Sequence, residues 1–108
     1  MIRVMLSLDL IEAEDKRADL YGFLTNDGWK KASNVDTVWL KEFNQYTTLD
    51  DEQLKKLRNE IADPVINAHK KLKLSKVYYV AQIGNKCVIS RVVEKRDGTT
   101  KAYVETLI

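Results

Sequence analysis

The first ten residues alternate between apolar and mostly polar side chains. Ile2, Val4, Leu6, Leu8 and Leu10 recur at every second position. Successive side chains of a β-strand point to opposite faces of its sheet, so this period predicts a strand with one strongly apolar face.

A helical spacing follows from about Ala13. Leu20 and Leu24 lie four residues apart, and acidic residues precede them, where the positive end of a helix dipole favours negative charge. Asn26-Asp27-Gly28 predicts the end of this helix, with Gly28 in the left-handed conformation that often closes one.

The middle of the chain predicts two short extended segments, residues 29–34 and 37–43, of which the second is richer in β-branched and aromatic side chains. A second helix is expected after Thr47-Thr48, with a threonine cap and an acidic first turn, and it continues to about Leu72. We expect a kink or a restart at Asp63-Pro64, because proline has no backbone donor.

Three strands are predicted in the last third of the chain, at residues 76–83, 87–93 and 101–108. Gly84-Asn85 and Asp97-Gly98 separate them and are typical of hairpin turns. The order of elements predicts a single α+β domain over residues 1–108. Its expected architecture is a ferredoxin-like two-layer sandwich, an antiparallel sheet with two helices on one face and extra C-terminal strands.

Composition excludes several classes of protein. The chain has 108 residues, 44% of them hydrophobic, and 18 basic against 16 acidic residues, a net charge of +2. That balance is ordinary for one globular domain and is not that of a polycation. The single cysteine, Cys87, excludes an internal disulfide and favours a reduced, cytoplasmic setting. No apolar stretch reaches the ~20 residues that span a bilayer, so we expect no membrane partner.

Asp9 is the first candidate for chemistry. By the alternation it points away from the helix-packed face, together with Ser7 and Arg3, at the carboxyl end of the first strand. An exposed carboxylate on a rigid strand suits a hard cation such as Mg²⁺. One carboxylate is a poor magnesium site alone, but a two-fold dimer would bring a second Asp9 across the axis. The alternative is that Asp9 caps the helix or ends the strand.

Basic and aromatic residues near the first helix and the second strand form another candidate site. Lysines beside exposed tryptophans would follow a phosphate backbone and stack on unpaired bases. The alternative is that the tryptophans lie in the core or in a dimer interface and that the lysines are merely solvated. The residues are Lys16, Arg17, Trp29, Lys30, Lys31, Trp39 and Lys41.

His69, the only histidine, lies late in the second predicted helix. No residue pattern provides it with a catalytic partner or a metal-binding spacing, so we expect a structural or surface role. Lys70, Lys71 and Lys73 form a basic run that is typical of a solvated helix end.

A homodimer is expected, because strand positions that face away from the helices would leave the sheet too apolar for a monomer. Dimerisation through that face, or strand addition at an edge, would cover it. The side chains expected there are Met5, Trp39, Phe43, Tyr78 and Val80.

The N-terminal half resembles a known group of proteins through Val4-Met-Leu-Ser-Leu-Asp-Leu10, Glu14-Asp-Lys-Arg17, Leu20-Tyr-Gly-Phe-Leu24 and Asp27-Gly-Trp29. These segments are similar to the small ferredoxin-like CRISPR-associated proteins of the spacer-integration complex and to the virulence-associated protein D ribonucleases, over about residues 1–60. The usual Ser-Val-Phe triplet of that group is not present. The resemblance implies a symmetric dimer with paired Asp9 side chains around a metal ion, in a group that includes magnesium-dependent nucleases and nucleic-acid scaffolds.

Three hypotheses about function follow. The first is a metal-dependent endonuclease acting on RNA, in which Asp9 holds Mg²⁺ and basic side chains position the backbone. The second is a non-catalytic dimer that binds RNA, DNA or protein, as a toxin–antitoxin or mobile-element regulator does. The third is a structural module whose sheet edge pairs with a partner. The residues assigned to the site are Asp9, Ser7 and Ser33 for catalysis, and Lys16, Arg17, Trp29, Lys30 and Lys31 for nucleic acid.

Overall fold

Six strands and two helices form the part of the chain that the computed structural model describes, residues 1–34 and 37–106. A short 3₁₀ helix, Glu14–Lys16, precedes the first helix. Leu107 and Ile108, the end of the last predicted strand, lie outside the described residues. The elements are β1 (Ile2–Ile11), α1 (Arg17–Asn26), β2 (Lys30–Lys31), β3 (Val38–Phe43), α2 (Asp51–Leu72), β4 (Lys76–Ile83), β5 (Cys87–Arg96) and β6 (Thr99–Val104).

The strands form one sheet in the order β2-β3-β1-β4-β5-β6, and every neighbouring pair is antiparallel. The predicted α+β class and antiparallel sheet are therefore confirmed. Helix α1 leads from β1 to β2, and these two strands are parallel with β3 between them. Helix α2 leads from β3 to β4, and these two are parallel with β1 between them. Two parallel strands with a third between them make a split βαβ unit. The ferredoxin-like detail stays a prediction, and β5 and β6 extend the sheet beyond these four strands.

The predicted turns are present. Gly28, just after α1, has a φ of 96°, in the left-handed region that suits glycine. Asp97 and Gly98, between β5 and β6, have φ values of 49° and 80°. Positive φ at both central residues is the mark of a two-residue hairpin turn whose twist matches that of the strands. This turn follows directly on β5, so β5 is longer and β6 starts earlier than predicted.

The hydrophobic core lies between one face of the sheet and the two helices. In β1, Val4, Leu6, Leu8 and Leu10 are all buried, as the alternation predicts. The helices pack against each other, and α2 also contacts β4, β5 and β6. Side chains that fill this layer include Leu20, Leu24, Leu57, Ile61, Val65, Val77, Tyr79, Ala81 and Ile83.

Trp39 and Phe43 belong to this core, so their prediction on the opposite face is wrong. Trp39 pairs with Leu6 of β1 and therefore points to the same side of the sheet. Its ring makes an edge contact with Tyr21 of α1, with 5.0 Å between centroids. Phe43 contacts the Trp29 ring at 6.2 Å. The contact between Tyr21 and Trp39 packs α1 against the sheet.

The second helix, α2, is continuous from Asp51 to Leu72, with Pro64 inside it. The predicted restart at Pro64 is therefore wrong, and the kink that was its alternative stays a prediction. The prediction of a threonine cap is also wrong, because the N-cap is Asp50, whose Oδ1 accepts from the Gln53 backbone N–H at 2.9 Å. Although α2 has 22 residues, no helix among the described residues is both long and apolar enough to cross a membrane.

Reciprocal hydrogen bonds between Asp50 and Gln53 and the backbone stabilise the start of α2. While the Asp50 carboxylate accepts from Gln53, the Gln53 side-chain oxygen accepts from the backbone N–H groups of Thr47, Thr48 and Leu49. This reciprocal arrangement satisfies donors that would otherwise lack partners at the helix start and in the turn before it.

We expect Asp50→Ala to lower the free energy of unfolding by about 1 kcal/mol, because it removes the cap bond. Urea denaturation followed by circular dichroism measures the change. Asp51→Ala removes the same charge one residue later, at a residue that is not the cap, and serves as the control. Equal losses in the two variants would show that charge near the helix dipole, and not the cap bond, stabilises this end.

Candidate functional site

The side of the sheet opposite α1 and α2 is not covered by any described helix, and we call it the open face. In β1 its side chains are Arg3, Met5, Ser7 and Asp9, all of them exposed. The strand register then places the side chains of β3, β4, β5 and β6 in rows that cross the sheet.

One row on the open face is predominantly apolar. Leu40, Met5, Gln82 and Val88 are successive partners on β3, β1, β4 and β5. The exposed fractions are 44% for Leu40, 45% for Met5 and 50% for Val88, high values for such side chains. The next row, Val38, Ser7, Val80 and Ser90, adds two half-buried valines. The two rows make an apolar band in the middle of the open face.

Rows with charged side chains lie on both sides of this band, one directly beside it and the other beyond the row of Asp9, Tyr78, Val92 and Tyr103. At one end the Arg3 Nε lies 3.2 Å from a carboxylate oxygen of Glu42. At the other end Glu94 is paired with Arg96 at 2.7 Å and with Lys76 at 3.8 Å. The hydrogen bond from Arg96 lowers the pKa of the Glu94 carboxyl. Because each end holds both signs of charge, the face as a whole is close to neutral.

Asp9 lies on the open face, opposite Tyr78 of β4. It does not end the strand, since β1 continues to Ile11. Nor does it cap a helix, since the residues at the N-caps of the 3₁₀ helix and of α1 are Ala13 and Lys16. Both alternatives considered for Asp9 are therefore wrong, and the exposed position predicted for it is correct.

A shallow cavity of about 460 Å³ lies beside Asp9. Ser7, Asp9, Thr37 and Tyr78 supply its polar lining, and the Ser7 and Thr37 hydroxyl oxygens are 3.5 Å apart. Ser33, the other predicted catalytic serine, is exposed in the loop that joins β2 to β3. The structure thus places Ser7 next to Asp9 in one cavity, whereas Ser33 does not line it.

The residues around Asp9 do not make a metal site within one protomer. Among the described residues no group of three or more histidine, cysteine, aspartate or glutamate side chains could hold a metal ion. Asp9 is the one carboxylate among the described residues that line its cavity. Because Mg²⁺ is usually held by one or two carboxylates together with water and substrate phosphates, magnesium stays a prediction that needs a second Asp9 or a bound phosphate.

The predicted basic residues do not form one surface. Lys30 pairs with Leu40 at the edge of the open face, and Lys31 pairs with Trp39 and so points to the helix side. Lys16 lies on the helix side, directly before α1, and its Nζ donates to the Leu72 carbonyl oxygen at the end of α2, at 3.2 Å. Arg17, half-buried, begins α1.

Both tryptophans are in the core, so the alternative given for them is confirmed. Trp29 is 2% exposed and Trp39 is 3% exposed. The Trp29 indole N–H donates to the Asp27 carboxylate, which also pairs with Lys41. A buried ring offers no face to a nucleic-acid base, so Trp29 does not provide the exposed stacking surface that was predicted.

Sequence reasoning missed Val38, Leu40 and Val88 on the open face. Three consecutive apolar residues, Val38-Trp39-Leu40, show no alternation, so the sequence pattern alone does not assign them to a face. The register with β1 identifies the face of these residues. Leu40 is the pairing partner of Met5, and paired residues of neighbouring strands lie on the same face.

We expect the tryptophan fluorescence to be blue-shifted and resistant to iodide quenching, because both indoles are buried. Adding single-stranded RNA should leave the emission unchanged, since neither ring is able to stack on a base. Emission spectra with and without iodide and a 20-nucleotide RNA, compared with the urea-unfolded chain, provide the measurement. Strong quenching of the folded chain by either agent would contradict the burial of Trp29 and Trp39.

Comparison with family models, with curated proteins and with solved structures found no match to this chain. The resemblance noted over about residues 1–60 therefore stays a prediction.

Proposed function

We propose that the protein is a non-catalytic homodimer, a binding or regulatory protein that assembles through its open face. The observation that carries the proposal is the row in which Leu40, Met5 and Val88 stand exposed across neighbouring strands. Exposed apolar side chains that form a contiguous patch mark interaction sites, whereas scattered ones do not. Burying this band against another apolar surface would remove it from water.

The charges of the open face favour a second copy of the chain over nucleic acid as the occupant. Positive and negative side chains are nearly equal in number there, and Arg3, Lys76 and Arg96 are already paired with carboxylates at the rims. A polyanion would gain little from such a surface, and the exposed Asp9 would repel it. The charged side chains are Arg3, Lys30, Lys76, Arg96 and Lys101 against Asp9, Glu42, Glu94 and Glu105.

The distribution of these charges also suits a two-fold interface. Each charged rim contains both positive and negative side chains, and the apolar band lies between the two rims. In two copies related by a two-fold axis, the apolar bands would therefore contact each other, and each rim would face a rim that also carries both charges. Strands about 4.8 Å apart and rows about 6.8 Å apart give the face an area of roughly 600 Å². That is near the lower limit of about 600 Å² per partner for a stable interface.

We expect Met5→Lys to raise the dissociation constant of the dimer at least tenfold, because it inserts a charge into the centre of the band. Sedimentation equilibrium over a range of protein concentrations measures the constant. Val104→Lys is the matched control. Val104 is 74% exposed. The residue before it, Tyr103, pairs with Val92 in the row of Asp9 on the open face, so the side chain of Val104 points to the opposite face.

Two results would contradict the homodimer. One is a wild-type chain that remains monomeric at all concentrations, which would leave the open face to a different protein or to nucleic acid. The other is an equal weakening of the dimer by Met5→Lys and by Val104→Lys, since added charge alone would then explain the effect. Circular dichroism of both variants checks that the fold is retained.

A second candidate is a magnesium-dependent endonuclease, supported by the position of Asp9 beside Ser7 in an exposed cavity. In a dimer built on the open face, the partner subunit would bring a second carboxylate into the interface, and two Asp9 side chains near the axis would have the composition of a divalent-cation site. This candidate therefore depends on the dimer. It also requires that the two-fold axis of the dimer pass close to β1, because Asp9 lies on that strand.

If the second candidate is correct, Asp9→Asn should abolish magnesium-dependent cleavage of labelled RNA or DNA while the dimer is retained. A magnesium titration of wild type and variant with both substrates measures cleavage. Asp19→Asn, a change at an exposed aspartate of α1, is the control. Absence of cleavage by the wild-type dimer at every magnesium concentration would contradict the endonuclease and leave the non-catalytic homodimer.

A further inference from the structure

From the side chains around a second cavity, we infer that the chain binds a phosphomonoester group at the end of α2. This cavity has a volume of about 540 Å³, within the range of about 300–1,000 Å³ that is usual for small-molecule sites. It lies where the C-terminal end of α2, the start of β4 and the β5–β6 hairpin meet. None of its lining residues belongs to the apolar band of the open face, so the inference does not rest on the proposed dimer.

Positive charge dominates the lining. Lys70, Lys73, Lys76 and Lys95 line the cavity, with Glu94 as the one acidic side chain. Glu94 is neutralised by its pairs with Arg96 and Lys76. Among the described residues, Lys70, Lys73 and Lys95 have no acidic partner within ion-pair distance. Three unpaired ammonium groups around one cavity favour an anionic ligand with several acceptor oxygens, such as a phosphomonoester.

The end of α2 would ordinarily repel an anion, because its last carbonyl groups carry partial negative charge. Here two of these carbonyls already accept hydrogen bonds. The His69 carbonyl accepts from the backbone N–H groups of Lys73 and Leu74, and the Leu72 carbonyl accepts from the Lys16 side chain. The electrostatic field in the cavity is therefore set mainly by the lysines.

His69 provides an independent observation. It lines the cavity and is only 5% exposed. Its Nε2 lies 3.0 Å from the Ser75 carbonyl oxygen, which accepts only, so Nε2 carries a proton. The other ring nitrogen, Nδ1, is buried and has no hydrogen-bond partner among the described residues. A ligand that reaches Nδ1 and donates to it would supply the missing hydrogen bond.

A phosphomonoester is able to supply that bond, because its monoanion keeps one P–OH group that donates to the Nδ1 lone pair, while its ionised oxygens accept from the lysines. The Thr100 hydroxyl, which also lines the cavity, is a further donor or acceptor. Sulfate and carboxylate lack the donor at neutral pH, so the site should prefer phosphate over them.

The test is an NMR titration of the wild-type chain with inorganic phosphate at constant pH and ionic strength, with chloride as the balancing ion. His69 is the only histidine, so its imidazole signals are assigned without ambiguity. We expect these signals to shift and to saturate. In the variant with Lys73→Asn and Lys95→Gln the apparent dissociation constant should rise at least tenfold. Asparagine at position 73 retains the left-handed conformation that Lys73 adopts at φ 54°.

The matched control carries Lys55→Gln and Lys56→Gln, the same loss of charge at the opposite end of α2. Its dissociation constant should stay within twofold of the wild-type value. An absence of saturable shifts in the wild type, or an equal weakening in both double variants, would overturn the proposal. Neither result would bear on the dimer, which is measured through Met5.

The source of the phosphate is decided with three further ligands. A nucleoside 5′-monophosphate that binds as tightly as inorganic phosphate would indicate a small-molecule ligand. Binding confined to a 5′-phosphorylated oligonucleotide would indicate the end of a nucleic acid. Equal binding of the same oligonucleotide with a 5′-hydroxyl would overturn the assignment to a phosphomonoester, because backbone diesters would then account for the affinity.

Discussion

The pairing of β1 on both of its edges is the constraint on which the rest of the fold depends. This strand lies between β3 and β4, so its register determines the face on which every side chain of those strands points. Leu6 is opposite Trp39 on one side and Ala81 on the other, and all three are buried under the helices. A slip of one residue would exchange the two faces and expose the core.

The same constraint creates the open face. Two helices cover one side of the sheet, and the alternation in β1 sends Met5, Ser7 and Asp9 to the other side. A sheet with one solvated face usually carries polar side chains there. This sheet instead has an apolar band between two mixed charged rims, and that departure is the physical basis for proposing a dimer. The burial of Trp29 and Trp39 removes the strongest argument for nucleic acid on the chain surface.

The elements were largely predictable from sequence, whereas their faces were predictable only where the pattern was periodic. Strand β1 alternates without interruption, so the exposure of Asp9 followed directly. Strand β3 has the apolar run Val38-Trp39-Leu40, and Trp39 was placed on the wrong face because no alternation distinguishes it from its neighbours. The cavity near His69 was not predictable, since Lys95 and Thr100 reach it only through the tertiary arrangement of β5 and β6.

Two different surfaces meet at one ion pair. Lys76 and Glu94 belong to the charged rim of the open face, and both also line the cavity at the end of α2. A substitution at either residue would change the dimer rim and the cavity charge together, so its effect could not be assigned to one surface. Met5 belongs to the open face alone and Lys73 to the cavity alone, which makes the two proposed properties separable by substitution. If dimerisation and phosphate binding respond independently to changes at these two positions, then the chain carries two sites.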